Sequence, residues 1–94
     1  MVTLHIDLQL QPGAGAELEK TFRDAFRPAI SAQSGFSGVA LLQSASEADH
    51  YRLVIEFQSD ELRLNWVATA LHQQVWPRME AHCASYAVKK FAVV

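Results

Sequence analysis

HYRLVIEFQSDELRLNWVATALHQQVWPRME, residues 50–80, reads as a strand, a cap and a broken helix in direct succession. Tyr51, Leu53, Ile55 and Phe57 alternate with Arg52, Val54, Glu56 and Gln58, the period of two expected of a strand over 50–58. Ser59 is a good N-cap, and Asp60 and Glu61 follow where the helix dipole favours carboxylates. The helix then changes face. Leu62, Trp66 and Ala70 form one stripe, while Leu71, Val75 and Met79 form another displaced by one residue. Pro77 would lack its bond to Gln73 in an unbroken helix. Two helical pieces are therefore expected, over 60–69 and 72–82, with a bend near Ala70-Leu71. Such a break makes room for a cleft, and Asn65, Trp66, Thr69, His72 and Trp76 crowd around it. That is more aromatic and imidazole surface than packing of one short helix requires.

The rest of the chain builds outward from this unit. Val2, Leu4, Ile6, Leu8 and Leu10 alternate with polar residues, a second clean strand pattern. PGAG at 12–15 is a turn. From Ala16, Leu18, Phe22, Phe26 and Ile30 step by four, which predicts an amphipathic helix ending at Ser34-Gly35. Pro28 should kink or restart it. The run 36–44 is a strand with Gly38 at a bulge, and 85–93 is the last strand. The order β-α-β-β-α-β over one domain, residues 1–94, is a ferredoxin-like α+β sandwich with a four-stranded antiparallel sheet. Right-handed crossovers place both helical segments on one sheet face. His5 and Asp7 on the first strand and Arg52 and Glu56 on the third share the opposite face, where they are expected to pair as a ladder.

Composition narrows the classes of function. Half the residues are hydrophobic and 19% are charged, which excludes a disordered chain. So small and apolar a domain has hydrophobic surface left over, and a symmetric partner is the expected cover, giving a homodimer. The net charge is −2 and the longest basic run is Lys89-Lys90, which argues against nucleic acid. No apolar run reaches the roughly 18 residues of a membrane helix, and the first ten residues do not read as a signal peptide, so the expected compartment is the cytoplasm. Cys83 is the single cysteine. His82 and Cys83 are adjacent and would point about 100° apart on a helix, a poor chelate, so no metal site is expected. Tyr51 and Tyr86 read as packing residues.

In order and spacing the chain resembles the antibiotic biosynthesis monooxygenase family over essentially its whole length. The resemblance rests on the PGAG-to-helix start with Phe22 and Phe26, on GFSGV at 35–39, on DHYRLVIEFQSDE at 49–61 and on LNWVATALHQQ at 64–74. The last fits a pattern of an aromatic or His, a Ser or Thr three residues on, and a His six on: Trp66, Thr69 and His72. The resemblance implies a dimeric α/β barrel of facing sheets, with a pocket in each subunit between the sheet and the second helix. It also implies oxidation of electron-rich aromatics, such as quinols and anthrones, by dioxygen without metal or flavin, so no cofactor is expected. Some relatives degrade haem with a strand Asn and a helix Trp and His. Trp66 fits that Trp, but the only Asn is Asn65 and Trp76 stands where the His would be, so haem degradation is set aside.

Chemistry assigns the candidate roles. His72, which titrates near neutrality, is the candidate general base for a phenol. Trp66, Trp76 and Asn65 are the candidate substrate-binding residues, Trp66 by stacking or through its indole N–H. No nucleophile–base pair, phosphate loop or paired-carboxylate motif is present. Two classes remain open at this point: a cofactor-independent monooxygenase acting on a small aromatic molecule, and a non-catalytic dimeric barrel that binds small molecules or serves as an interaction module.

Overall fold

A computed structural model describes residues 1–94. Strands β1 (Val2–Leu10), β2 (Phe36–Gln43), β3 (His50–Phe57) and β4 (Cys83–Ala92) form one antiparallel sheet in the order β2-β3-β1-β4. This is the α+β ferredoxin-like arrangement, and the sheet is open rather than closed on itself. The alternation in β1 and β3 decides which face is covered. Leu8, Leu53 and Phe57 are fully buried beneath the helices, with Leu4, Ile6, Tyr51 and Ile55 beside them. Gly38 lies where the β2–β3 register shifts, the bulge its sequence position implies.

The first helical segment begins at α1 (Gly15–Thr21), widens into a π-helical turn over Phe22–Phe26 and resumes as α2 (Arg27–Ser31). Pro28 accounts for this. It has no N–H for the Asp24 carbonyl, and its ring would clash with that carbonyl in a regular α-turn. The wider turn, closed by the Arg27 N–H on the Phe22 carbonyl, relieves the clash. The chain then turns at Gly35, whose φ is +80° and where a Cβ would lie 2.9 Å from Leu62 Cβ. Only glycine fits there, and that close approach seats the next helix on the sheet.

The expected break in the second helical segment is present, but it falls earlier. Helices α3 (Asp60–Val67) and α4 (Ala70–Glu80) separate at Ala68 and Thr69 rather than at Ala70-Leu71. The cause is Thr69, the N-cap of α4, whose hydroxyl accepts from the His72 N–H at 3.1 Å. Pro77 lies inside α4 and does not end it. Ser59 caps α3 as expected, accepting from the Leu62 N–H at 3.2 Å.

The opposite face of the sheet carries no second layer, and the ladder expected there forms only in part. Asp7 and Arg52 are register partners, and Arg52 Nε donates to Asp7 Oδ1 at 2.8 Å. That bond leads the causes that hold the Asp7 carboxyl below its ordinary range. Glu56 instead lies opposite Thr3, and His5 meets the edge of Phe91 at 5.2 Å. The pairing pattern explains the difference: His5 faces Val54, so no carboxylate stands opposite it on β3.

Candidate functional site

The break between α3 and α4 and the slope of the sheet beneath it enclose a cavity of about 220 Å³. Of its eleven lining residues, nine are hydrophobic, and Arg63 and His72 supply the charged or titratable groups. The floor comes from Leu4, Ile6 and Ile55, which project from the helix-covered side of β1 and β3. The wall is aromatic. Phe26, 1% exposed, meets Trp66 edge-on at 6.2 Å and Trp76 at 6.3 Å. Tyr86 closes the far side, its ring 5.3 Å from Trp76.

Thr69 explains the spacing of Trp66 and His72. Its hydroxyl donates to the Trp66 carbonyl at 2.7 Å and accepts from the His72 N–H at 3.1 Å, tying the end of α3 to the start of α4. The chain leaves the helical conformation at Thr69, whose ψ is 150°. His72 is thereby brought onto the edge of the Trp66 ring, with centroids 5.0 Å apart and planes at 84°. In a continuous helix, residues six apart would lie about 120° apart around the axis. Burial lowers the His72 pKa from its ordinary value, because a charged imidazolium is poorly solvated against this apolar wall. His72 is therefore neutral at pH 7, the form that accepts a proton. Gln73 Nε2 lies 3.4 Å from His72 Nδ1, a long contact that constrains the ring weakly. Gln73 itself is held by the Val67 carbonyl at 3.0 Å.

The residues singled out in the sequence are only partly brought together. Trp66, Trp76 and His72 all line the cavity. Asn65 does not: it is exposed on the outer side of α3, one residue and about 100° around the helix from Trp66. His5, Asp7, Arg52 and Glu56 lie across the sheet and cannot reach the cavity. Arg63 and Tyr86 join the wall without having been singled out for binding. Arg63 precedes Trp66 by three residues, a spacing that shares a helix face, and Tyr86 shares the parity of Val88 on β4. Cys83 opens β4 rather than ending a helix, and its thiol contacts the Met79 carbonyl at 3.6 Å.

An open ferredoxin-like sheet with an apolar, largely aromatic cavity under a broken helix defines a small α+β domain with a candidate binding cavity, and comparison narrows it. The family model of antibiotic biosynthesis monooxygenases matches residues 1–78, and the chain belongs to that family. A Bordetella bronchiseptica protein provisionally named an antibiotic biosynthesis monooxygenase superposes with a TM-score of 0.88 at 23% identity, covering 99% of this chain and 96% of that one. SnoaB, a cofactor-independent oxygenase from Streptomyces nogalater, gives 0.89 at 18% identity over 98% of this chain and 91% of its own. A Caulobacter crescentus protein, also provisionally named for the family, gives 0.87 at 20% identity, covering 99% and 89%. At these identities the likeness establishes the fold. No curated protein matches the sequence. No helix is long and apolar enough to cross a membrane.

Proposed function

We propose that this protein is a cofactor-independent monooxygenase acting on a small hydroxylated aromatic of the quinol or anthrone kind. One observation carries the reading: a half-buried imidazole stands edge-on against an indole in the wall of a mostly apolar cavity. Family membership and the fold shared with SnoaB point the same way. A cavity of about 150 Å³ is known to take benzene, so about 220 Å³ accepts a somewhat larger flat molecule.

The chemistry needs little from the protein beyond proton transfer, positioning and dryness. Trp66 and Trp76 hold the ring system, and His72 removes a proton from the substrate. The resulting anion is electron-rich and passes one electron to dioxygen, giving a substrate radical and superoxide. These combine to form a C–O bond. The peroxide takes the proton from His72, and loss of water across the C–H and O–O bonds leaves a carbonyl. One oxygen atom stays in the product, the other leaves as water, and the substrate itself supplies the electrons. Exclusion of water by the apolar wall protects the radical pair. The test is oxygen uptake by the purified protein with a panel of hydroquinones and anthrones. Stoichiometric uptake with a quinone product supports the assignment; no consumption of any of them sinks it and favours the binding-module reading.

The working unit in this proposal is a homodimer packed through the open sheet face. Leu42 at 50% and Phe91 at 47% are exposed there. Thr3 Oγ1 is buried with no hydrogen-bond partner, a condition a facing subunit would relieve. Light scattering at micromolar concentration should give twice the 10.5 kDa chain mass. A monomeric mass would refute the dimer.

A further inference from the structure

Arg63 is the one polar residue of the cavity wall to which oxygenation assigns no task. It shares a face of α3 with Trp66 and Val67, and all three line the cavity. Its side chain is 15% exposed, and Nε donates to Asp60 Oδ1 at 2.6 Å. The other Asp60 oxygen accepts from Lys90 Nζ at 2.9 Å. One carboxylate is thus shared between two cations, which leaves one positive charge uncompensated within the cluster. A guanidinium carries five N–H donors in a planar fork. Arg63 lines the cavity, and within the protein only its Nε is engaged, so the donors on its two terminal nitrogens are left for a ligand. Such donors pair most strongly with a charged acceptor, and a planar pair of them matches the two oxygens of a carboxylate.

The geometry points to Arg63 as the anchor for a carboxylate carried by the aromatic ligand, held in place by the Asp60–Lys90 pair behind it. This rests on the reading of the cavity as an aromatic-binding site and sharpens it: the preferred substrates are aromatic acids rather than neutral rings. Arg63 is then a specificity-determining residue, with Trp66 beside the ring and His72 at the reacting end.

The two tryptophans of the chain are Trp66 and Trp76, and both line the cavity, so their indole N–H resonances report its occupancy directly. The full chain, labelled with nitrogen-15, would be titrated with 2-naphthoate and with 2-acetylnaphthalene, a neutral ring of similar shape. The ratio of the two affinities should fall by roughly 10- to 100-fold from wild type to Arg63→Gln, the worth of a hydrogen-bonded charge. Arg63→Lys should keep part of the preference, because the charge remains while the fork is lost. The remaining amide resonances show directly whether each variant is folded. An unchanged ratio in Arg63→Gln, or failure of 2-naphthoate to move either indole resonance in the wild type, overturns the assignment. The two readings fail separately: oxygen uptake without an Arg63-dependent preference removes the anchor alone, and the preference without oxygen uptake removes the oxygenase alone.

Discussion

Replacing His72 with Ala is expected to slow substrate-dependent oxygen uptake by about 10²–10⁴-fold, the usual worth of a positioned general base. The substitution should do this without dismantling the site. Thr69 caps α4 through the backbone N–H of residue 72, and that donor survives in the variant. What disappears is the ring against Trp66. The pH profile provides an independent reading. In the proposed mechanism the neutral imidazole is the active form, and burial lowers its pKa, so it stays neutral further into acid than an exposed histidine would. Wild-type rates should rise with pH along a limb centred below the ordinary imidazole value of about 6.5 and be level above it. In His72→Ala that limb should vanish, and added imidazole should restore part of the rate. Replacing Trp66 with Phe should instead act mainly on KM, since a ring remains for packing while the indole N–H is lost. A His72→Ala variant with the wild-type rate and profile would show that the substrate's own acidity suffices.

The fold was legible in the sequence because its strands are one-sided. In β1 and β3 the alternation assigns a face to every residue, and all the positions expected to be apolar lie beneath the helices. Gly35, Gly38 and Ser59 sit at transitions where one residue type is physically preferred, so the boundaries there were also readable. The helix break was less legible. Its existence follows from the shift of stripe between Ala70 and Leu71, but its place was decided by one hydroxyl. Thr69 satisfies one free donor of α4, the His72 N–H, and a threonine in mid-segment gives little sign of whether it caps or merely faces water. The π-helical turn was hidden for a related reason. Pro28 announces a disturbance, but whether the chain kinks or widens depends on how Phe22 and Phe26 pack, and their rings end up stacked 6.3 Å apart.

The candidate site divides along the same line. Trp66, Trp76 and His72 could be singled out by residue type, because large aromatics and an imidazole exceed what packing needs. Asn65, adjacent to Trp66 in sequence, faces away from the cavity, whereas Arg63, three residues from Trp66, lines its wall. An arginine just after an acidic helix start looks like a surface charge. Only its pairing with Asp60, and through it with Lys90 from the far edge of the sheet, turns it inward.

Phe26 is where stability and site meet, and replacing it with Ala should have the largest effect on the fold itself. The side chain is 1% exposed and lies between the π-helical turn and both tryptophans. Phe→Ala changes in cores of this kind cost about 3–5 kcal/mol, a large share of the roughly 5–15 kcal/mol that holds a domain together. For a domain of this size the lower figure corresponds to a fall in Tm of more than about 12 °C. The comparison must be made at one protein concentration, because the proposed association with a second copy would raise apparent stability. Phe26→Leu should cost far less, since most of the volume and apolar surface remain. The damage should also be readable in the cavity: with the edge-on ring gone, the Trp66 and Trp76 indole resonances should broaden or move together, whereas a substitution at exposed Asn65 should leave both in place. If Phe26→Ala melted within a few degrees of the wild type, the π-helical turn could collapse onto the tryptophans without loss. The aromatic wall would then be a pliable surface rather than a fixed one.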